Sequence, residues 1–218
     1  MFKFCSLYSG STGNSLFVET DNTKVLVDTG ESCKKIVEGL SSINVSADKI
    51  DAIIITHEHI DHACDVYRPA AIKQLQVVGA QLNIPVYANT ETWDAMPTQR
   101  DKIETHNIKT FKIKEPFEIG DLRIKPFSIP HDAANPCGFN ICHNNKKISI
   151  ATDLGHMNSE ILTNLENSSF ILLESNYDTN ILKCSPYPYH LKMRISGPNG
   201  HLSNDMAGKT ISTLISTG

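Results

Sequence analysis

Ile53-Ile54-Ile55-Thr56-His57-Glu58-His59-Ile60-Asp61-His62 is an apolar run that ends in three imidazoles and a carboxylate. Consecutive isoleucines favour an extended segment buried on both faces. Where such a strand runs out, alternate side chains share a side. His57 and His59 can therefore grip one cation, while Asp61 and His62 reach for a second as the chain turns into a helix. Imidazole with carboxylate suits zinc, manganese or iron. The lack of a Cys-x-x-Cys pair argues against a thiolate-rich structural zinc site. With this content of His and Asp, a random H-x-H-x-D-H is expected in only about 0.001 of such chains, so the motif is signal. Glu58, between two ligands, is expected to face away from the metals.

The remaining properties bound what such a site can serve. At 218 residues the chain can bury a full core in a single domain. A hydrophobic share of 40% and a charged share of 20% are ordinary for a soluble protein. No apolar run approaches the roughly 18 residues needed to span a bilayer. The start, Met1-Phe2-Lys3-Phe4-Cys5-Ser6, has neither a charged leader nor an apolar signal core, so a cytoplasmic location is expected, with no membrane partner. Cysteines at 5, 33, 64, 137, 142 and 184 follow no framework and read as reduced thiols. A net charge of −4 argues against nucleic-acid binding through a broad basic surface. Any grip on phosphate is local or supplied by metals.

Along the chain, strands are expected over 14–19 and 24–28 with a turn at Asp21-Asn22, and a helix over 32–40. A strand over 51–56 delivers the histidine loop, a helix follows over 63–83, and Pro85 opens a strand through Tyr87. Thr90 is expected to cap a short helix holding Trp93. Further strands are expected around Phe111 and Ile113, at 117–119 and 122–124 about a Gly120-Asp121 turn, at 138–142 and 147–152 about Asn144-Asn145, and at 170–173. Ser203 is placed to cap a last helix carrying Met206, Ile211, Leu214 and Ile215, with Asp205 in its first turn. Periodicity alone therefore gives a mixed α/β domain rich in antiparallel strands.

His131 after Ile129-Pro130, and Ala151-Thr152-Asp153 closing a strand, complete a set with the histidine motif that resembles the metallo-β-lactamase fold. Ser9-Gly10-Ser11-Thr12-Gly13-Asn14-Ser15, Pro85-Val86-Tyr87-Ala88-Asn89 and Asp132-Ala133-Ala134-Asn135-Pro136-Cys137-Gly138-Phe139 resemble, more narrowly, the bacterial YycJ/WalJ group. The likeness covers nearly the whole chain. It implies an α/β (α+β) four-layer αββα sandwich. It also implies two divalent ions, zinc first and manganese as an alternative: one on His57, His59 and His131, the other on Asp61 and His62, with Asp153 bridging.

Relatives complete the second ion with a histidine in a His-Leu-Ser segment beyond their last long helix, whereas this chain stops at Thr217-Gly218. The expectation is one domain over 1–218 that lacks its C-terminal end, with a weakened second site. His201-Leu202-Ser203-Asn204 precedes the last helix and so resembles an earlier family histidine. Asp65 stands where the family usually has glycine after the motif.

The resemblance implies a metal-dependent hydrolase, a phosphodiesterase or nuclease of exonuclease type, with DNA expected ahead of RNA as substrate. Two cations bridged by hydroxide would sharpen a water molecule and neutralise charge on the phosphoryl oxygens. Asp61 would orient that nucleophile. Glu174, closing the 170–173 strand, and His201 look like the Glu–His pair with which related nucleases protonate the leaving oxygen. Lys192 and Arg194, near Lys183, Tyr187 and Tyr189, are candidate substrate contacts. Two alternatives stay open: a thioester, lactone or lactam hydrolase using the same ions, and an impaired metal-binding interaction domain.

Overall fold

The computed structural model describes residues 1–63 and 84–217. The helix expected over 63–83 and the substitution at Asp65 lie outside the described residues beyond Ala63. The chain forms two compact units, Met1–Arg123 with Ala133–Asn135, and Ile124–Asp132 with Pro136–Gly218.

The first unit is built on a sheet whose order follows the sequence among the described residues: β1 (Phe2–Tyr8), β2 (Ser15–Thr20), β3 (Lys24–Val27), β4 (Ala52–Ile54), β5 (Val86–Asn89) and β6 (Ile108–Phe111). β1, β2 and β3 pair antiparallel, and β3 to β6 run parallel. Asp21 and Asn22 turn β2 into β3 as expected, with the Thr20 hydroxyl accepting the N–H groups of Asn22 (3.2 Å) and Thr23 (2.9 Å).

α1 (Cys33–Ser42) begins at Ser32, whose hydroxyl accepts the Lys35 N–H, and it buries Ile36 and Leu40. These join Phe17, Leu26, Ile53, Ile55 and Trp93 in one core. Each such side chain contributes about 1.5–3 kcal/mol on burial, so the sheet that carries the histidine loop is firmly held. α2 (Ile60–Ala63) follows β4, and α3 (Thr90–Ala95) and α4 (Pro97–Arg100) follow β5.

Two sequence expectations are corrected here, and one strand is added. Asn89, not Thr90, caps α3: its backbone is still extended and its side chain accepts the Thr92 N–H at 2.9 Å. β6 ends at Phe111, short of Ile113. β1 was not foreseen, because its side chains are only partly buried and its apolar residues are interrupted.

β7 (Phe117–Ile119) and the start of β8 (Leu122–Ser128) form a hairpin at Gly120, which turns with a φ of 56°. The chain passes into the second unit within β8.

The second unit orders β11 (Phe170–Leu173), β10 (Lys146–Ala151), β9 (Cys137–His143) and β8 side by side. β9 and β10 form a hairpin at Asn144-Asn145, where Asn144 takes a φ of 53° that asparagine tolerates. β11 pairs parallel to β10 after the crossover helix α5 (Ser159–Leu165). α6 (Thr179–Cys184), α7 (Tyr189–Ile195) and α8 (Asn204–Thr217) complete the unit. Phe127, Ile129, Ala151, Leu154, Ile161, Leu165 and Leu202 form its core. Ser203 caps α8, accepting the Met206 N–H at 3.3 Å. Among the described residues no helix is long and apolar enough to cross a membrane.

Candidate metal centre

In the first unit the four motif residues gather where β4 gives way to α2. The ring centroids of His57 and His59 are 4.7 Å apart, and those of His57 and His62 are 4.2 Å apart. His57 and His62 are buried. Glu58 does turn aside, its Oε1 accepting the Ala134 N–H at 2.8 Å.

A buried carboxylate at the end of β3 decides how these rings are protonated. Asp28 Oδ1 accepts the Thr56 N–H at 2.9 Å, and Oδ2 accepts both the Thr56 hydroxyl at 2.9 Å and His62 Nδ1–H at 2.8 Å. A carboxylate can only accept, so the single proton of the Thr56 hydroxyl is committed to Asp28. The Thr56 oxygen is then an acceptor for His57 Nδ1–H at 3.0 Å. One carboxylate thus places a proton on Nδ1 of both His57 and His62, and both rings carry their lone pair on Nε2.

The backbone of the loop is fixed just as tightly. Asn14 N–H and Thr29 N–H donate to the carbonyls of Asp61 (2.7 Å) and His62 (2.8 Å). Gly30 lies so close to this loop that a Cβ there would collide with the Asp61 carbonyl.

In the second unit, His131 Nδ1 donates to the Gly200 carbonyl at 3.0 Å, which again leaves Nε2 as the lone-pair nitrogen. Burial, opposed by the nearby carboxylates of Asp153 and Asp132, holds the His131 ring below its usual pKa. Asp153 follows β10 in the left-handed region, with φ 55°. Asp153, Glu174 and His201 each offer a ligand atom within 4.8 Å of one another.

Glu174 is buried and saturated. Its Oε2 accepts the N–H groups of Leu154 (3.0 Å) and Leu202 (2.9 Å), and its Oε1 accepts His201 Nδ1–H (2.7 Å) and Asn176 Nδ2–H (3.2 Å). Burial works against a charged His201, but the hydrogen bond and charge of Glu174, helped by Asp153 and Asp132, outweigh it and raise the ring's pKa. Arg194 on α7 pairs with Asp132 (Nε to Oδ2, 2.6 Å), and Asp132 Oδ1 lies 3.4 Å from His131 Nε2. Lys192 instead donates to the Lys183 carbonyl at 2.7 Å.

Residues 23–214 match the family model described as the beta-lactamase superfamily domain. The chain belongs to the beta-lactamase superfamily. It is 37% identical over 216 residues to the exodeoxyribonuclease WalJ of Streptococcus pneumoniae serotype 2 strain D39, covering 98% of this chain and 77% of that one. To the exodeoxyribonuclease YycJ of Bacillus anthracis it is 34% identical over 212 residues, covering 97% and 77%. The crystal structure of the metallo-β-lactamase fold protein YhfI from Bacillus subtilis superposes with a TM-score of 0.72 at 18% identity, covering 98% of this chain and 82% of that one. The resemblance to the YycJ/WalJ group and the metallo-β-lactamase fold expected from the motifs are both borne out.

The superfamily fold implies use of divalent metal, and the donor set fits it. Each of His57, His62 and His131 has its Nδ1 hydrogen spent on an oxygen and presents Nε2 as a base. Asp28 escaped the sequence patterns, although it supplies this wiring. Asp28 lies in Val25-Leu26-Val27-Asp28-Thr29-Gly30, where a carboxylate closing an apolar strand, one turn before a glycine, was the available signal.

Proposed function

We propose that the chain is a metal-dependent exonuclease that degrades DNA. The observation that carries this reading is the shared wiring of His57 and His62 to Asp28, which makes two imidazoles into ligands at no further cost of protonation or rotation. The nucleic-acid class rests on the names of the WalJ and YycJ relatives. We assign His57, His59 and His131 to one divalent ion, Asp61 and His62 to another, and Asp153 to both, with zinc the first choice and manganese the alternative. A cytoplasmic location belongs to the same reading.

Bound divalent ions supply an acidified water and neutralise charge on the phosphodiester. The protein's own groups do the rest. Asp61 orients the attacking water. His201, whose pKa Glu174 raises, gives its Nε2 proton to the leaving oxygen. All of the hydrogen bonds to Glu174 come from the protein, so it acts through His201 and is a positioning residue. Arg194 and Lys192 present cationic side chains on α7 for backbone phosphates, and Arg194 would leave Asp132 to do so.

Incubating the purified protein with end-labelled DNA, the matching RNA and a panel of thioesters, lactones and lactams tests this. Stepwise shortening of the DNA is the expected result. Turnover confined to the thioester, lactone and lactam panel would overturn the assignment.

A further inference from the structure

The carboxamide of Asn14 sits against the two side chains assigned above to the second ion. Its Oδ1 accepts the Gly10 N–H at 3.1 Å, which fixes the orientation of the amide and turns Nδ2 toward the loop. Nδ2 then has four acceptors around it: the Gly10 carbonyl (3.1 Å), the Asp61 carbonyl (3.4 Å), Asp61 Oδ2 (3.3 Å) and His62 Nε2 (3.0 Å). An amide nitrogen has two hydrogens, so this donor is oversubscribed. Because Asp28 holds the proton of His62 on Nδ1, the contact with Nε2 can only be Asn14 donating to a lone pair. The lone pairs that Asn14 occupies are those of a carboxylate and an imidazole, the donor chemistry of a divalent ion.

We propose that Asn14 is a positioning residue that competes with a divalent ion for the lone pairs of Asp61 and His62. It thereby lowers the affinity of the second site. The inference rests on the metal-binding reading of residues 57–62. The backbone of the loop does not depend on the Asn14 side chain, since Asn14 N–H holds the Asp61 carbonyl and the Asn14 carbonyl accepts Gly30 N–H at 2.9 Å. Removing the amide therefore leaves the ligands in place and removes a competitor.

The test compares wild type with Asn14→Ala and Asn14→Ser, titrating metal-free protein with Zn2+ and with Mn2+ against a chelator of known affinity. The expected result is that both variants bind the second equivalent roughly three- to tenfold tighter, the effect of one neutral hydrogen bond, with the first equivalent unchanged. Nitrogen-15 NMR of the metal-free proteins should show His62 Nε2 moving from a hydrogen-bonded to an unbonded acceptor in Asn14→Ala. The melting temperature of the metal-free variant should fall. Equal or weaker second-site affinity in the variants, beside a wild type that takes up two ions, would overturn the role of Asn14 alone. A wild type that takes up no ion would overturn the metal reading itself. Should Asn14→Ala not fold, Asn14→Ser, which keeps a small polar group in the turn but is too short to reach His62, decides by the same titration.

Discussion

His62 Nδ1 lies 2.8 Å from Oδ2 of Asp28, and the same oxygen holds the hydroxyl proton of Thr56. Asp28→Asn replaces an acceptor-only group with an amide that cannot take all of these protons. Metal affinity is expected to fall about 10- to 100-fold, the usual effect of losing a carboxylate behind a ligating histidine. Chelator competition measures it, and wild-type affinity in Asp28→Asn would refute the shared wiring.

Glu174→Gln keeps the shape of the side chain and removes its charge. The raised pKa of His201 should then fall. The sign follows from the direction of the shift. A ring whose folded pKa is raised stays protonated past the ordinary histidine range, and its contribution, both as an acid and to stability, is lost as pH rises through the folded value. The basic limb of the kcat profile should therefore move to lower pH in Glu174→Gln. kcat on DNA should drop roughly 10²- to 10⁴-fold with KM little changed. An unshifted limb would show that Glu174 merely braces Leu154 and Leu202.

Metal removal offers a direct measurement. Dialysis against a strong chelator should abolish DNA degradation, and Mn2+ or Zn2+ should restore it. Elemental analysis of the reloaded protein is expected to give two equivalents per chain. Full activity after exhaustive chelation would exclude a metal-dependent reaction.

The Asp121 carboxyl is held down to about 2, first by the Thr20 hydroxyl at 2.6 Å and then by Thr23 and Asn22. A depressed carboxylate stabilises the fold above its unfolded pKa and loses that contribution as pH falls through the folded value. The hairpins that meet at Thr20, Thr23 and Gly120 should hold together down to about pH 4 and weaken between there and about pH 2. Because Asp121 is exposed, the loss should be small. In Thr20→Val the Asp121 carboxyl should titrate nearer the ordinary aspartate range by carbon-13 NMR.

Gly30→Ala is expected to be severe, since the new methyl would meet the Asp61 carbonyl and the His62 nitrogen, both backbone atoms that cannot swing aside. A loss of more than about 3 kcal/mol, or failure to fold, is expected in thermal or denaturant unfolding. A stable Gly30→Ala protein would mean that the loop is looser than its hydrogen bonds imply.

Much of this was legible in the chain because the signals were local. Ile53 to His62 states its strand, its turn and its donors in ten consecutive residues, and the turns at Asp21-Asn22, Gly120-Asp121 and Asn144-Asn145 fix three hairpins. The cap at Asn89 was misplaced by one residue because Asn and Thr are both good caps, and only the backbone shows which is still extended. Asp28 and the side-chain contacts of Asn14 stayed hidden for a different reason. Their partners lie 28 to 48 residues away, and single aspartates and asparagines near turns are common. What distinguishes them is contact with an imidazole, a property of the folded chain.

Because one aspartate accepts the proton of one ring directly and orients the other through one threonine hydroxyl, those ligands stand or fall together. Substitutions at residue 28 should give an all-or-none pattern, retaining the competence of both histidines or spoiling both at once. Gradual erosion of this centre by drift at that position is therefore closed off, and a descendant that abandons catalysis would be recognised by the simultaneous loss of constraint on Asp28, Thr56, His57 and His62.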